Sequence, residues 1–142
     1  GYSKAIYKNV YLDVRQYKKL QFEVHAEALD EMLLQDDEIS AFIRLGSDYQ
    51  DNYYEYEIPL KLTEHKQSGS YNNDLLSDRL LVWPDENRIA FEFSELQKAK
   101  KSRNDANHPL NQPFDTIVGN ARIRIQGNPN LSNVKSNLKD FT

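Results

Sequence analysis

Tyr54-Glu55-Tyr56-Glu57-Ile58-Pro59-Leu60 puts Tyr54, Tyr56, Ile58 and Leu60 at every second position, with Glu55, Glu57 and Pro59 between them. Side chains of an extended chain alternate between two faces, so this stretch reads as a strand with one buried and one wet face. The same period recurs on either side. Leu20, Phe22, Val24 and Ala26 alternate with Gln21, Glu23, His25 and Glu27, while Ile39, Ala41, Ile43 and Leu45 share one face. So do Ile89, Phe91 and Phe93, and finally Ala121, Ile123 and Ile125 opposite Arg122, Arg124 and Gln126. An opening strand over residues 5–12 and a closing one from Val134 bring the expected total to about six or seven. Nine Tyr and six Phe against a single Met reinforce this, because tyrosine suits strands with one half-wet face.

Turn-forming residues fill the gaps at 29–37, 46–52, 66–78 and 104–119, the last containing Pro109 and Pro113. One helix is expected, over residues 94–103. Ser94 and Gln97 have the spacing of a capping box, and Lys98, Lys100, Lys101 and Arg103 follow, where cations offset the helix dipole. No strand–helix–strand alternation supports a parallel sheet. The expected fold is mainly β: one domain over residues 1–142, an antiparallel β-sandwich of jelly-roll type with one short helix.

The chain has 142 residues, 39% hydrophobic and 28% charged, with a mean hydropathy of −0.79. That is wet for a globular domain yet apolar enough to fold. Charge is segregated: residues 21–60 carry eleven acidic side chains and one basic one, Arg44, whereas residues 1–20 carry five basic and one acidic. Nucleic-acid binding needs a continuous basic footprint, so this layout argues against it. No apolar run approaches the length of a membrane span. With no cysteine, disulfides, thiolate catalysis and cysteine-based zinc sites are excluded.

Candidate chemistry is sparse. The five glycines are scattered, so no phosphate-binding loop forms. His25, His65 and His108 lie about 40 residues apart without metal-ligand spacing, and Asp36, Asp37, Glu38, Asp48 and Asp51 do not converge as calcium requires. Glu55 and Glu57 point the same way, roughly 7 Å apart. They read either as a carboxylate pair or as alternating charges on a wet strand face. No enzyme activity, cofactor or metal is expected. The candidate binding residues are Tyr49, Tyr53, Arg44 and Trp83. Tyr53 faces away from the core and Tyr49 sits in a loop, so both offer rings for sugar stacking or protein docking. Trp83, before Pro84, ends the Leu80-Leu81-Val82 run and reads as a plug at one end of the core sooner than as a ligand contact.

Several longer strings are more specific. Val10-Tyr11-Leu12-Asp13-Val14-Arg15-Gln16-Tyr17-Lys18-Lys19-Leu20, running into Phe22-Glu23-Val24-His25-Ala26-Glu27-Ala28, resembles the SprA/Sov family of Bacteroidetes gliding motility and type 9 secretion. So do Ala41-Phe42-Ile43-Arg44-Leu45-Gly46-Ser47-Asp48, Asn52-Tyr53-Tyr54-Glu55-Tyr56-Glu57-Ile58-Pro59-Leu60, Val82-Trp83-Pro84 and Asn128-Pro129-Asn130-Leu131-Ser132. The resemblance runs from Val10 to Val134. It implies one excised soluble domain of a very large outer-membrane translocon protein, facing the periplasm or the cell surface. It implies no catalysis, and contacts with other envelope or secretion-machinery proteins or with secreted cargo. After Leu131-Ser132 the family pattern calls for an apolar strand, whereas residues 134–142 are polar. The alternative on the residues alone is a carbohydrate-binding jelly-roll module using Tyr49, Tyr53 and Trp83.

Overall fold

Antiparallel ladders organise the computed structural model, which describes residues 2–8, 12–29, 33–67 and 69–132. Six strands are present among these residues: β1 (Lys19–Glu23), β2 (Ser40–Gly46), β3 (Tyr53–Pro59), β4 (Arg88–Glu92), β5 (Phe114–Val118) and β6 (Ala121–Gln126). Two helices, α1 (Leu76–Val82) and α2 (Phe93–Asp105), interrupt them. The strands form a four-stranded sheet in the order β2-β3-β6-β5 and a two-stranded sheet of β1 and β4. The arrangement is a sandwich-like pair of sheets and not a closed barrel. Among the described residues, no helix is long and apolar enough to cross a membrane.

The period-two reading of β3, β4 and β6 places the core. Tyr54, Tyr56 and Ile58 of β3, Ala121, Ile123 and Ile125 of β6, and Ile89 and Phe91 of β4 are all buried, with Leu96 and Ala99 of α2 closing over them. Tyr56 joins the sheets: its ring stacks on Phe91 at 4.7 Å and its hydroxyl donates to the Ala90 carbonyl at 3.3 Å. Burial holds the Tyr54 hydroxyl up at about 12, so it stays neutral inside the core. Each fully buried Ile, Leu or Phe here contributes about 1.5–3 kcal/mol of transfer free energy.

A polar joint supplements this apolar contact. Asn87 is wholly buried, its Nδ2 donating to the Lys61 carbonyl and its Oδ1 accepting the Lys61 N–H, both at 2.7 Å. Its own carbonyl accepts the Val24 N–H at 3.0 Å. One side chain thus imitates a strand partner for the chain leaving β3, and ties it to the end of the second sheet.

Several expectations need correction. Residues 2–8 are not in a strand and Leu12 makes only an isolated bridge, while the rest of the expected opening strand and the one from Val134 lie outside the described residues. β1 ends at Glu23, because the chain beyond it turns to Thr63, whose N–H bonds the Ala26 carbonyl at 2.8 Å. Phe22 remains 39% exposed, since a two-stranded sheet cannot cover it. β5 arises within 104–119, read as turn. There Ile117 falls on the wet face and breaks the alternation of Phe114, Thr116 and Val118. α1 was likewise unexpected: its N-cap, Leu75, makes no side-chain cap bond, so nothing in the sequence announces a start. The expected helix exists as α2 but begins at Phe93. Its capping box uses Glu92 and Glu95, with the Glu95 carboxylate accepting the Glu92 N–H at 3.1 Å, in place of Ser94 and Gln97.

Two cations of α2 turn inward. Buried Arg103 donates to the Gly127 carbonyl, and Lys100 Nζ donates to the Pro129 carbonyl at 2.9 Å. Desolvation, with Arg103 nearby, lowers the Lys100 pKa. These residues fasten the chain leaving β6 against the helix.

Candidate functional site

The face of the four-stranded sheet turned away from the core carries most of the candidate residues. Strand register aligns Arg44, Glu55, Arg124 and Asp115 in one row across β2, β3, β6 and β5. Phe42, Glu57, Arg122 and Ile117 form the next row. Charges of opposite sign thus meet on neighbouring strands, where cross-strand pairs stabilise a sheet.

Glu55 is 3% exposed and lies between two guanidinium groups, Arg44 Nε at 2.5 Å and Arg122 Nη2 at 2.7 Å. Glu57 takes hydrogen bonds from Arg122 and from the Ser40 hydroxyl. Arg124 grips Asp115 through both forks, at 2.8 and 2.9 Å. That hydrogen bonding holds the Asp115 carboxyl below the usual range and raises Arg124 in turn. A general acid needs a carboxyl kept neutral by an apolar pocket. Glu55 and Glu57 are instead set among arginines.

Arg44, Tyr53 and Tyr49 come together at one end of this face. The Arg44 guanidinium lies 4.1 Å over the Tyr53 ring, and Arg44 Nη1 donates to the Tyr49 carbonyl at 2.8 Å. Tyr49 in turn packs on Tyr7 with ring centroids 5.2 Å apart. The alternation assigned Tyr53 to the wet face correctly, yet the residue is 6% exposed because Arg44 covers its ring. The adjoining loop is held by Asp48, whose Oδ1 accepts the N–H groups of Gln50, Asp51 and Asn52 at 2.6–3.0 Å. Burial raises the Asp48 pKa, but bonds from the Asn52 side chain and these backbone amides outweigh it and bring it to about 2. The acids at the other end of β2 are occupied too. Lys61 reaches Asp37 at 2.7 Å, and Asp36 accepts the Leu62 N–H at 2.8 Å. Among the described residues, no group of three or more His, Asp or Glu is placed to hold a metal ion. A shallow depression of about 440 Å3 lies at that end of the sheet, bounded by Ser40, Glu57, Pro59, Ile117, Asn120 and Arg122.

Trp83 is placed apart from the other three candidates, after α1. It is 44% exposed and packs on His25 with ring centroids 5.6 Å apart. Around it is a cluster that spacing in the sequence did not reveal. The isolated parallel bridge between Glu27 and Thr63 brings His25 and His65 to one carboxylate: His25 Nε2 is 3.1 Å from Glu27, and His65 Nδ1 bonds its other oxygen. His65 first and His25 second lower the Glu27 pKa. His25 Nδ1 also donates to the Val82 carbonyl at 2.8 Å, and the Thr63 hydroxyl donates to that of Leu81 at 2.7 Å. α1 is thus fastened through its C-terminal carbonyls and buries none of its side chains, leaving Leu76, Leu80 and Leu81 exposed.

Among curated proteins, none matches this chain. The family model SprA_N, described as a motility related/secretion protein, matches residues 1–141, which takes in both sheets, the charged rows and the Trp83 cluster; the chain therefore belongs to that motility- and secretion-related family.

Proposed function

We propose that this chain is a non-catalytic accessory domain of a SprA/Sov-like outer-membrane protein of type 9 secretion and gliding motility, acting through protein–protein contacts. The family match over residues 1–141 carries the reading. The parent resides in the outer membrane, with this domain on its periplasmic or cell-surface side, and its partners are other envelope or secretion-machinery proteins or secreted cargo. Two features support a contact role over catalysis. The carboxylates Glu55 and Glu57 are ion-paired, and the depression on the open sheet face is shallow and bordered by the paired Glu57 and Arg122. The carbohydrate-binding alternative needs open aromatic faces, and Arg44 occupies that of Tyr53.

Deletion of this segment from the parent tests the role. Loss of secretion or gliding, with the parent still present in the envelope, is the expected result; retention of both activities refutes it. Glycan titration that binds and then vanishes in Tyr53→Ala would favour the carbohydrate reading.

A further inference from the structure

The four-stranded sheet ends on β5, and no described segment pairs with its outer side. The β5–β6 hairpin turns on Gly119 and Asn120, with Gly119 at a φ of 61°, as the first position of a type II′ turn demands. A two-residue turn makes Val118 and Ala121 a hydrogen-bonded pair. By alternation Thr116 and Phe114 also bond towards β6, and the backbone N–H and C=O of Asp115 and Ile117 point outwards. Edge strands are ordinarily blunted by a bulge, a proline or charged side chains, lysine above all. Phe114-Asp115-Thr116-Ile117-Val118 has no bulge, proline or lysine, its register is unbroken, and its one charge, Asp115, is paired with Arg124 of β6. Ile117 is 72% exposed and Val118 39%. The opposite edge, β2, is half-buried along most of its length.

Two further features define what fits there. A groove of about 320 Å3 runs between α2 and β5, lined by Glu95, Lys98, Ala99, Ser102, Thr116 and Val118. On the other face the row Arg44, Glu55, Arg124, Asp115 alternates in sign and stops at Asp115, and the neighbouring row stops at Ile117. A further strand laid on β5 extends each row by one place. It sets a cation beside Asp115 and a β-branched residue beside Ile117, two residues apart on one face, while its other face turns to the groove.

We propose that β5 is a strand-addition site for an extended segment of a partner polypeptide carrying Lys or Arg two residues from a β-branched residue. This rests on the contact role proposed above and gives that contact its form. Main-chain bonds to Asp115 and Ile117 supply affinity, and the alternate side chains supply selectivity.

The probe is a synthetic peptide of about ten residues, with Thr and Val alternating through one face and Lys and Ile two apart on the other. It is titrated into the isotope-labelled chain and followed by amide exchange. Exchange at Asp115 and Ile117 is expected to slow at least about tenfold while Thr116, already bonded to β6, is unchanged. Replacing the peptide's Lys by Glu should weaken binding about two- to fivefold. N-methylation of the peptide's bonding amides should abolish it, as should Ile117→Pro, which an edge strand tolerates at an outward N–H. The proposal is overturned by absence of saturable binding, by binding that leaves Asp115 and Ile117 exchange untouched, or by binding that survives N-methylation. It is equally overturned if the free chain dimerises with those two amides already protected, since a second copy then closes the edge. Peptide failure alongside a deletion phenotype removes strand addition and leaves the accessory role. Peptide binding without a deletion phenotype does the reverse.

Discussion

Replacing Asn87 by Ala would test whether the joint between the sheets is polar as well as apolar. The substitution strips two 2.7 Å bonds from Lys61 and leaves its N–H and C=O facing the space the amide filled. A fully buried orphan group costs about 1–3 kcal/mol, and Lys61 is half-buried, so about 1 kcal/mol for each is appropriate. The lost packing of a wholly buried side chain adds about another 1 kcal/mol, for a total near 3 kcal/mol. With a urea dependence of about 2 kcal/mol per molar, the unfolding midpoint falls by about 1.5 M at unchanged slope. Trp83, the only tryptophan, supplies a fluorescence signal beside far-UV dichroism. A loss under about 1 kcal/mol refutes the reasoning, because it would mean that water satisfies Lys61 without effort. Asn87→Asp separates hydrogen bonding from packing. The carboxylate keeps the volume but offers no donor to the Lys61 carbonyl, so it is destabilising at neutral pH. Burial raises its folded-state pKa above the unfolded value. Stability is therefore recovered on acidification, as the protonated acid regains a donor, and lost as pH rises through that raised pKa. A pH-independent deficit would assign Asn87 a packing role only.

Other consequences are equally direct. Glu55→Gln removes the charge shared by Arg44 and Arg122; since both arginines reach water, we expect a cost of about 2 kcal/mol and a coupling of about 1 kcal/mol in a double-mutant cycle with Arg122→Met. Additive single effects would show the row to be ornamental. Gly127→Ala combines a φ of 64° with a Cβ driven into the Asp51 carbonyl oxygen, whereas Gly119→Ala has a φ of 61° and open space. Equilibrium unfolding should show about 1 kcal/mol for Gly119→Ala and clearly more, above about 2 kcal/mol, for Gly127→Ala; equal costs would dismiss the close approach. Asp48 has its folded pKa depressed to about 2, so its contribution is complete above the unfolded value and disappears as pH falls from about 4 towards 2. Discounted for exposure this is about 1 kcal/mol, and Asp48→Asn should flatten that part of the acid-denaturation curve.

The strands that build the core were legible because one buried face imposes period two on Tyr54, Tyr56 and Ile58, on Ile89 and Phe91, and on Ala121, Ile123 and Ile125. The family was legible as well, since it resides in long strings of residues and requires no contact between them. β5 was hidden because an apolar Ile117 sits on its wet face and a polar Thr116 on the other, so the residues do not alternate in type although their burial alternates from Phe114 to Ile117. α1 was hidden because its side chains bury nothing and its anchorage is to carbonyls held by His25 and Thr63.

What only the tertiary structure decided is who meets whom across the chain. Alternation placed Arg44, Glu55, Tyr53 and Arg124 on one face, but register put them in line, and that line covers Tyr53 with Arg44 and buries Glu55 between cations. His25 and His65 looked unrelated until the Glu27–Thr63 bridge joined them. Period and motif are local properties, so a sequence states them directly. Pairing partners, ring coverage and free edges depend on which distant segments fold together, and the chain acquires them only once packed.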